Sequence, residues 1–197
     1  MRVIRSTSSL AVAGCAAAAL LLAGLPFQAQ SAANAPPSAN AGAEAKLSRS
    51  DQDLLRNIAH ANSSEVASGK IALEKAHSDE VKKFAQTMVD DHGSALKEVE
   101  ALAAARSVKL PTDPDFRQKA TTKKLQSVVG NRFDREYVSR AGVDDHRKTR
   151  ALLQKVQRGA KDPQLKALAE KMLPVVDQHL SHAEQLARTT VREETRQ

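Results

Sequence analysis

Residues 79–106 read DEVKKFAQTMVDDHGSALKEVEALAAAR, and the spacing of their apolar side chains decides the fold class. Val81 and Phe84 begin an apolar row that recurs every three or four residues as far as Leu102. That period places the row on one face of an α-helix, whereas a half-buried strand would alternate every second residue. Ser78 precedes the stretch and two acidic residues follow it, which is typical of a helix N-terminus. The stretch therefore predicts one long amphipathic helix.

The same period continues on both sides of this helix. It predicts a first helix over 48–76, a third over 131–158 and a fourth over 162–188. Two prolines interrupt the pattern after the second helix, and a shorter helix follows over about 115–129. The long connection over 107–130 separates two helical hairpins. We therefore predict an all-α, ferritin-like four-helix bundle of two hairpins joined by a long crossover that contains a short helix. An up-down-up-down bundle with a long loop is the alternative topology.

The composition of the 197-residue chain agrees with this class. Hydrophobic residues make up 41% and aromatic residues only 3%, without tryptophan, which argues against an all-β fold. The net charge is +7, or +5 without residues 1–33; charges of both signs alternate along the helices, and no basic stripe predicts a nucleic-acid partner. This charge allows a weak attraction to anionic envelope surfaces. The sequence has no phosphate-binding loop, G-x-S-x-G elbow or H-E-x-x-H motif, so we do not predict an enzyme.

The N-terminus has the pattern of a secretory signal peptide. Two arginines precede an apolar run over 10–25, and small residues before Ala33 fit a cleavage site, so we assign residues 1–33 to the signal. An uncleaved anchor is the alternative. Residues 34–47 then read as a flexible linker, 48–188 as the bundle and 189–197 as a frayed tail. The mature chain has no further apolar run long enough to span a membrane.

Cys15 is the only cysteine of the chain. The residues before it resemble a lipoprotein signal, but most of the apolar run follows the cysteine instead of preceding it. We therefore expect a periplasmic protein, with a lipid anchor through Cys15 or association with the outer membrane as alternatives. Removal of Cys15 with the signal would leave a mature chain without disulfides or thiolate ligands.

One titratable residue interrupts or adjoins the apolar row near the midpoint of each long helix. These residues are Glu65, His92, His146 and His179. The midpoints of helices of similar length meet at one level of a bundle whichever way each helix runs. We therefore expect the four side chains to converge at the centre, with Asp91 and Asp145 beside them.

A carboxylate and three imidazoles are competent ligands for Fe, Mn, Zn or Cu, and bundle cores are where such sites occur. A carboxylate-bridged di-iron centre is not predicted, because valine stands where its Glu-x-x-His motif needs glutamate, three residues before each central histidine. The alternative is a buried hydrogen-bonded network that fixes helix register. We expect His60, His77 and His182 at the surface, and Asp134 paired with a basic residue across the bundle.

Several of these features carry a family resemblance. Residues 50–187 resemble a bacterial family of exported, ferritin-like four-helix proteins of unknown function, often described as outer membrane or membrane proteins. The features that carry it are FAQTMVDDH at 84–92, FDREY at 133–137, Asp145-His146, LPVVDQHL at 173–180 and Glu65. The resemblance implies a ferritin-like fold and a periplasmic or envelope location, and it implies no reaction.

Two functional hypotheses follow. The first is an exported envelope protein with a structural or binding role, such as a stress-related one, in which the central cluster serves stability. The second is a metal-binding or redox bundle that uses Glu65, His92, His146 and His179, with Asp91 and Asp145 as secondary candidates. Partner and oligomeric state do not follow from the sequence.

Overall fold

The computed structural model describes residues 46–194. The predicted signal peptide over 1–33, its cleavage after Ala33, Cys15 and nearly all of the predicted linker lie outside the described residues. Leu47, placed at the end of the linker by the sequence, is buried and packs in the hydrophobic core.

The described residues form an all-α four-helix bundle, as predicted. Its helices are α1 (Arg49–Lys75), α2 (Asp79–Ala105), α3 (Phe116–Gln126), α4 (Gly130–Tyr137), a π-helical segment (Val138–Asp145), α5 (His146–Gly159) and α6 (Pro163–Glu194). Helix α1 packs against α2, and α5 packs against α6, so each hairpin supplies one side of the bundle. Helix α4, the π-helical segment and α5 follow one another without a break and together form the third bundle helix.

Contacts at the two ends of the bundle fix the topology. Arg106, after α2, donates to Asp162, before α6, over 2.9 Å. At the opposite end, the Lys75 ammonium group donates to the carbonyl oxygens of Leu125 and Gln126 at the end of α3. The crossover therefore runs the full length of the bundle, and the third helix runs in the same direction as α2. This up-down-down-up order is the ferritin-like arrangement, and the alternative up-down-up-down topology is wrong.

Two buried carboxylates join the hairpins. Asp51, in the first turn of α1, accepts hydrogen bonds from the backbone N–H groups of Lys161 and Asp162, which form the turn of the second hairpin. Asp134, in α4, accepts from the backbone of His77 and Ser78 at 2.9 and 2.8 Å, in the turn of the first hairpin. The predicted pairing of Asp134 with a basic residue is therefore wrong, because its two oxygens bind the free N–H groups at the start of α2.

The prediction of one continuous α-helix over 131–158 is wrong, because the third long helix is interrupted. Residues Val138–Asp145 form the π-helical segment, which ends immediately before His146. Gly142 lies in this segment against α6, where an added Cβ atom would approach the Cβ atom of Ala183 to 2.9 Å. Glycine thus permits the close contact between the widened helix and its neighbour.

The core is divided into two apolar clusters with a polar layer between them. One cluster contains Leu55, Val99, Leu153 and Leu165, and the other contains Phe84, Phe133, Tyr137, Ala183 and Leu186. Along every bundle helix, buried polar residues occupy the positions between its two apolar stretches. They include Asn62, Glu65, His92, His146 and His179. The helix midpoints therefore share one level.

Helix α6 continues through Glu194, beyond the end predicted at residue 188. The hydroxyl groups of Thr189 and Thr190 donate to the carbonyl oxygens of Leu186 and Ala187, which supports the additional turn. Over residues 46–194, none of the helices combines the length and the apolar character needed to cross a bilayer.

Candidate metal centre

Three histidines from three bundle helices meet in the polar layer. One ring nitrogen from each of His92, His146 and His179 lies within 4.8 Å of the other two. The ring centroids form a nearly equilateral triangle with sides of 5.2, 5.3 and 5.4 Å. The residues are 3%, 0% and 5% exposed, so the three rings are largely shielded from bulk water.

The tautomer of His92 is set by Asn62. The side-chain N–H of Asn62 donates to the carbonyl oxygen of Ile58 over 2.8 Å, which turns the amide oxygen toward His92. That oxygen lies 2.9 Å from His92 Nδ1, so Nδ1 carries the proton and donates it. The other nitrogen, Nε2, is left with an unprotonated lone pair that points into the triangle.

The tautomer of His146 is set in the same way by the backbone. Its Nδ1 donates to the carbonyl oxygen of Ala141 over 2.8 Å, five residues earlier in the π-helical segment. Widened turns of this type occur frequently at functional sites. His146 Nε2 is therefore also unprotonated, and it lies 3.2 Å from His92 Nε2.

The two facing nitrogens lie at a distance that a shared cation could occupy. A hydrogen bond across the 3.2 Å gap would require one ring to become an imidazolium, because both Nδ1 protons are already committed. Burial opposes that charge: it lowers the pKa of His92 well below its usual range and the pKa of His146 to about 4. Two nitrogens bound to one ion at 2.0–2.1 Å in tetrahedral geometry lie about 3.3 Å apart. The observed separation therefore fits one shared metal ion.

His179 completes the set from α6. Its Nε2 lies 2.9 Å from an oxygen of Asp91, which accepts the Nε2 proton, while its Nδ1 is buried without a hydrogen-bond partner. Burial lowers the pKa of His179, and the Asp91 carboxylate partly opposes this shift. Each of the three rings thus has one nitrogen bonded to an outer acceptor and one nitrogen free, the arrangement that metal-binding histidines adopt.

Glu65 lies in the same layer but on the other side of His146. Its Oε1 is 3.7 Å from His146 Nδ1, and its Oε2 is buried without a partner. Burial raises the pKa of Glu65 well above its usual range, and nearby Asp145 adds to the rise. Asp145 itself pairs with Lys148 over 2.7 Å. The structure therefore does not bring either carboxylate into the three-histidine group.

The sequence did not predict two groups that accept hydrogen bonds from the histidines, the Asn62 side chain and the Ala141 carbonyl. Asn62 could have been found, since it stands four residues after Ile58 on the buried face of α1. The Ala141 carbonyl can accept from His146 because it lies in the π-helical segment, and no residue pattern in the sequence predicts that segment. Among the remaining histidines, His77 and His182 are exposed, as predicted, and His60 is half-buried.

Comparison with protein families identifies the chain. The model of a domain of unknown function, DUF4142, matches residues 36–186. The chain belongs to the DUF4142 family. A search of curated proteins finds no match.

Solved structures show the same fold in other proteins. A crystal structure of a DUF305 fragment from Deinococcus radiodurans aligns with a TM-score of 0.64 at 14% identity, covering 73% of this chain and 99% of that one. CopM in its Cu(II)-bound form aligns with a TM-score of 0.59 at 16% identity, covering 71% and 96%. CopM in an Ag-bound form aligns at 0.58 and 18%, with the same coverage. At these identities the likeness concerns the fold alone.

Proposed function

We propose that this DUF4142 protein is an exported metal-binding protein that holds one late transition-metal ion, copper foremost, at His92, His146 and His179. The observation that carries the proposal is the pair of buried, unprotonated imidazole nitrogens 3.2 Å apart. Export is inferred from the signal-peptide pattern of residues 1–33.

The donor set favours copper over the other metals considered. Iron and manganese usually take carboxylate ligands as well, and Glu65 stands behind His146, away from the three free nitrogens. Three neutral imidazoles suit copper, zinc and nickel, and Cu(II) binds most tightly of the divalent ions in this series. The fold is also one in which CopM has been solved with Cu(I), Cu(II) and Ag bound.

A self-sufficient hydrogen-bonded network is a weaker explanation of the cluster. Such a network would pair each buried ring nitrogen with a donor or an acceptor. Here the free nitrogen of His179 has no partner, and those of His92 and His146 face each other without a proton. A cation held by the three residues would remove the need for a proton between His92 and His146.

The proposal is tested by metal titration of protein purified without a polyhistidine tag and stripped with a chelator. We expect one Cu(I) or Cu(II) ion per chain, measured by elemental analysis after gel filtration, and loss of this ion in the His92→Leu and His146→Leu variants. His77→Leu is the matched control, because the His77 residue is exposed. Failure of the wild type to bind copper, or equal binding by the His92→Leu variant, would overturn the proposal.

A further inference from the structure

A buried centre needs a route for its ion, and a cleft opens beside the histidine triangle. The cleft lies between α2 and α6, has a volume of about 250 Å³, and is lined in part by His92, His179 and Asn62. A second cleft, beside α3, reaches the polar layer at Glu65 and is lined by none of the three histidines. The described residues therefore offer access to the centre from the α2–α6 side.

The wall of this cleft carries one thioether. Met172 lines it, is 6% exposed, and stands seven residues before His179 on the same face of α6. Asp91 lies at the cleft with a half-exposed side chain and bonds the His179 ring. A Glu98–Lys171 ion pair of 2.6 Å lies along it as well. Among the residues that line the cleft, Met172 is the only one with a soft sulfur ligand.

We propose that Met172 is an entry ligand that passes a soft monovalent ion, Cu(I) or Ag(I), along the α2–α6 cleft to His92 and His179. Thioethers select Cu(I), whereas zinc and Cu(II) prefer nitrogen and oxygen ligands. The thioether therefore accelerates entry of a monovalent soft ion and is indifferent to Zn(II). This inference rests on the proposed function, since it assigns a route and an oxidation state to the same centre.

The test compares the rates at which the protein takes Cu(I) from a coloured Cu(I) chelate and Zn(II) from a coloured zinc indicator. Met172→Leu conserves volume, and Met88→Leu is the matched control because Met88, although also a core methionine, does not line the α2–α6 cleft. We expect Met172→Leu to slow Cu(I) uptake about tenfold, the effect of a barrier raised by one soft contact, with Zn(II) uptake and the final Cu(I) content unchanged. Circular dichroism verifies that each variant is folded.

A second pair of variants tests the route separately. Val175→Trp places a bulky ring at the α2–α6 cleft, where Val175 is 37% exposed, and is expected to slow both ions. Thr121→Trp, which alters the cleft beside α3, is expected to slow neither.

The outcomes separate the inference from the proposed function. Unchanged Cu(I) rates in Met172→Leu, or equal slowing of Cu(I) and Zn(II) in that variant, would refute the role of the thioether while the centre still binds metal. Slower uptake in Thr121→Trp than in Val175→Trp would refute the route. Absence of metal uptake by the wild-type protein would overturn the proposed function and this inference together.

Discussion

Replacement of His92 by leucine tests whether the histidine cluster stabilises the bundle by itself or only with metal bound. In the metal-free protein, His92 Nε2 faces His146 Nε2 at 3.2 Å without a proton between them. A buried acceptor without a donor costs about 1–3 kcal/mol, so loss of one imidazole relieves a penalty of that size. The same change leaves the Asn62 oxygen without its donor, which costs a similar amount.

These opposing terms give an expected result. Without metal, the free energy of unfolding of His92→Leu should lie within about 1 kcal/mol of the wild-type value. The double variant with Asn62→Leu removes the stranded amide oxygen and should exceed the single variant by about 1–3 kcal/mol. At a hundredfold excess of metal over its dissociation constant, the wild type should gain about 2.7 kcal/mol, and His92→Leu should gain much less.

Urea unfolding followed by circular dichroism measures these free energies, since the chain has no tryptophan and one tyrosine. His77→Leu, at an exposed position, serves as the control. The reasoning is refuted if metal-free His92→Leu loses about 3 kcal/mol or more and metal leaves the wild type unchanged. That result would mean that the imidazoles form a self-sufficient network.

Four further changes have defined outcomes. Burial lowers the pKa of His146 from 6.5 to about 4, so between these pH values the unfolded chain binds more protons than the folded chain. The free energy of unfolding of the metal-free protein should therefore fall by about 3 kcal/mol as the pH falls through this window. Urea midpoints measure this effect, and those of His146→Leu should depend less on pH. Asp91→Asn weakens the acceptor of the His179 proton and should reduce metal affinity about 10–100-fold in chelator competition. Gly142→Ala forces a Cβ atom against α6 and should lower stability by about 1–3 kcal/mol in thermal melts. Asp134→Ala removes the acceptor of two backbone N–H groups at the start of α2 and should cost about 1–2 kcal/mol in urea.

The sequence was sufficient to predict the bundle and the level of its polar layer. Helical periodicity reports which residues face inward, and helices of similar length must align their midpoints. His92, His146 and His179 therefore could be placed together without knowledge of the topology. The direction of the third helix could be determined only from the structure, through the contacts that Arg106 and Lys75 make at the two ends of the bundle.

The hydrogen-bond partners of the histidines within the polar layer could not be predicted, because they depend on the rotation of each helix and on the local backbone geometry. Glu65 and Asn62 stand three residues apart on α1, and only the rotation of that helix decides which of them bonds His92. The wide turn before His146 changes the rotation of the third helix and presents the Ala141 carbonyl. Neither effect alters the apolar period from which the fold was predicted.

The position of the centre gives metal binding a structural consequence. His92 belongs to the first hairpin, whereas His146 and His179 belong to the second, so one ion held by all three would join the hairpins at mid-height. The carboxylates of Asp51 and Asp134 already join them at the two ends. The apolar clusters above and below the layer hold each half of the bundle without the ion. The binding free energy of such an ion would therefore add to the folding free energy as a third connection between the hairpins, at the level where the polar layer interrupts apolar packing.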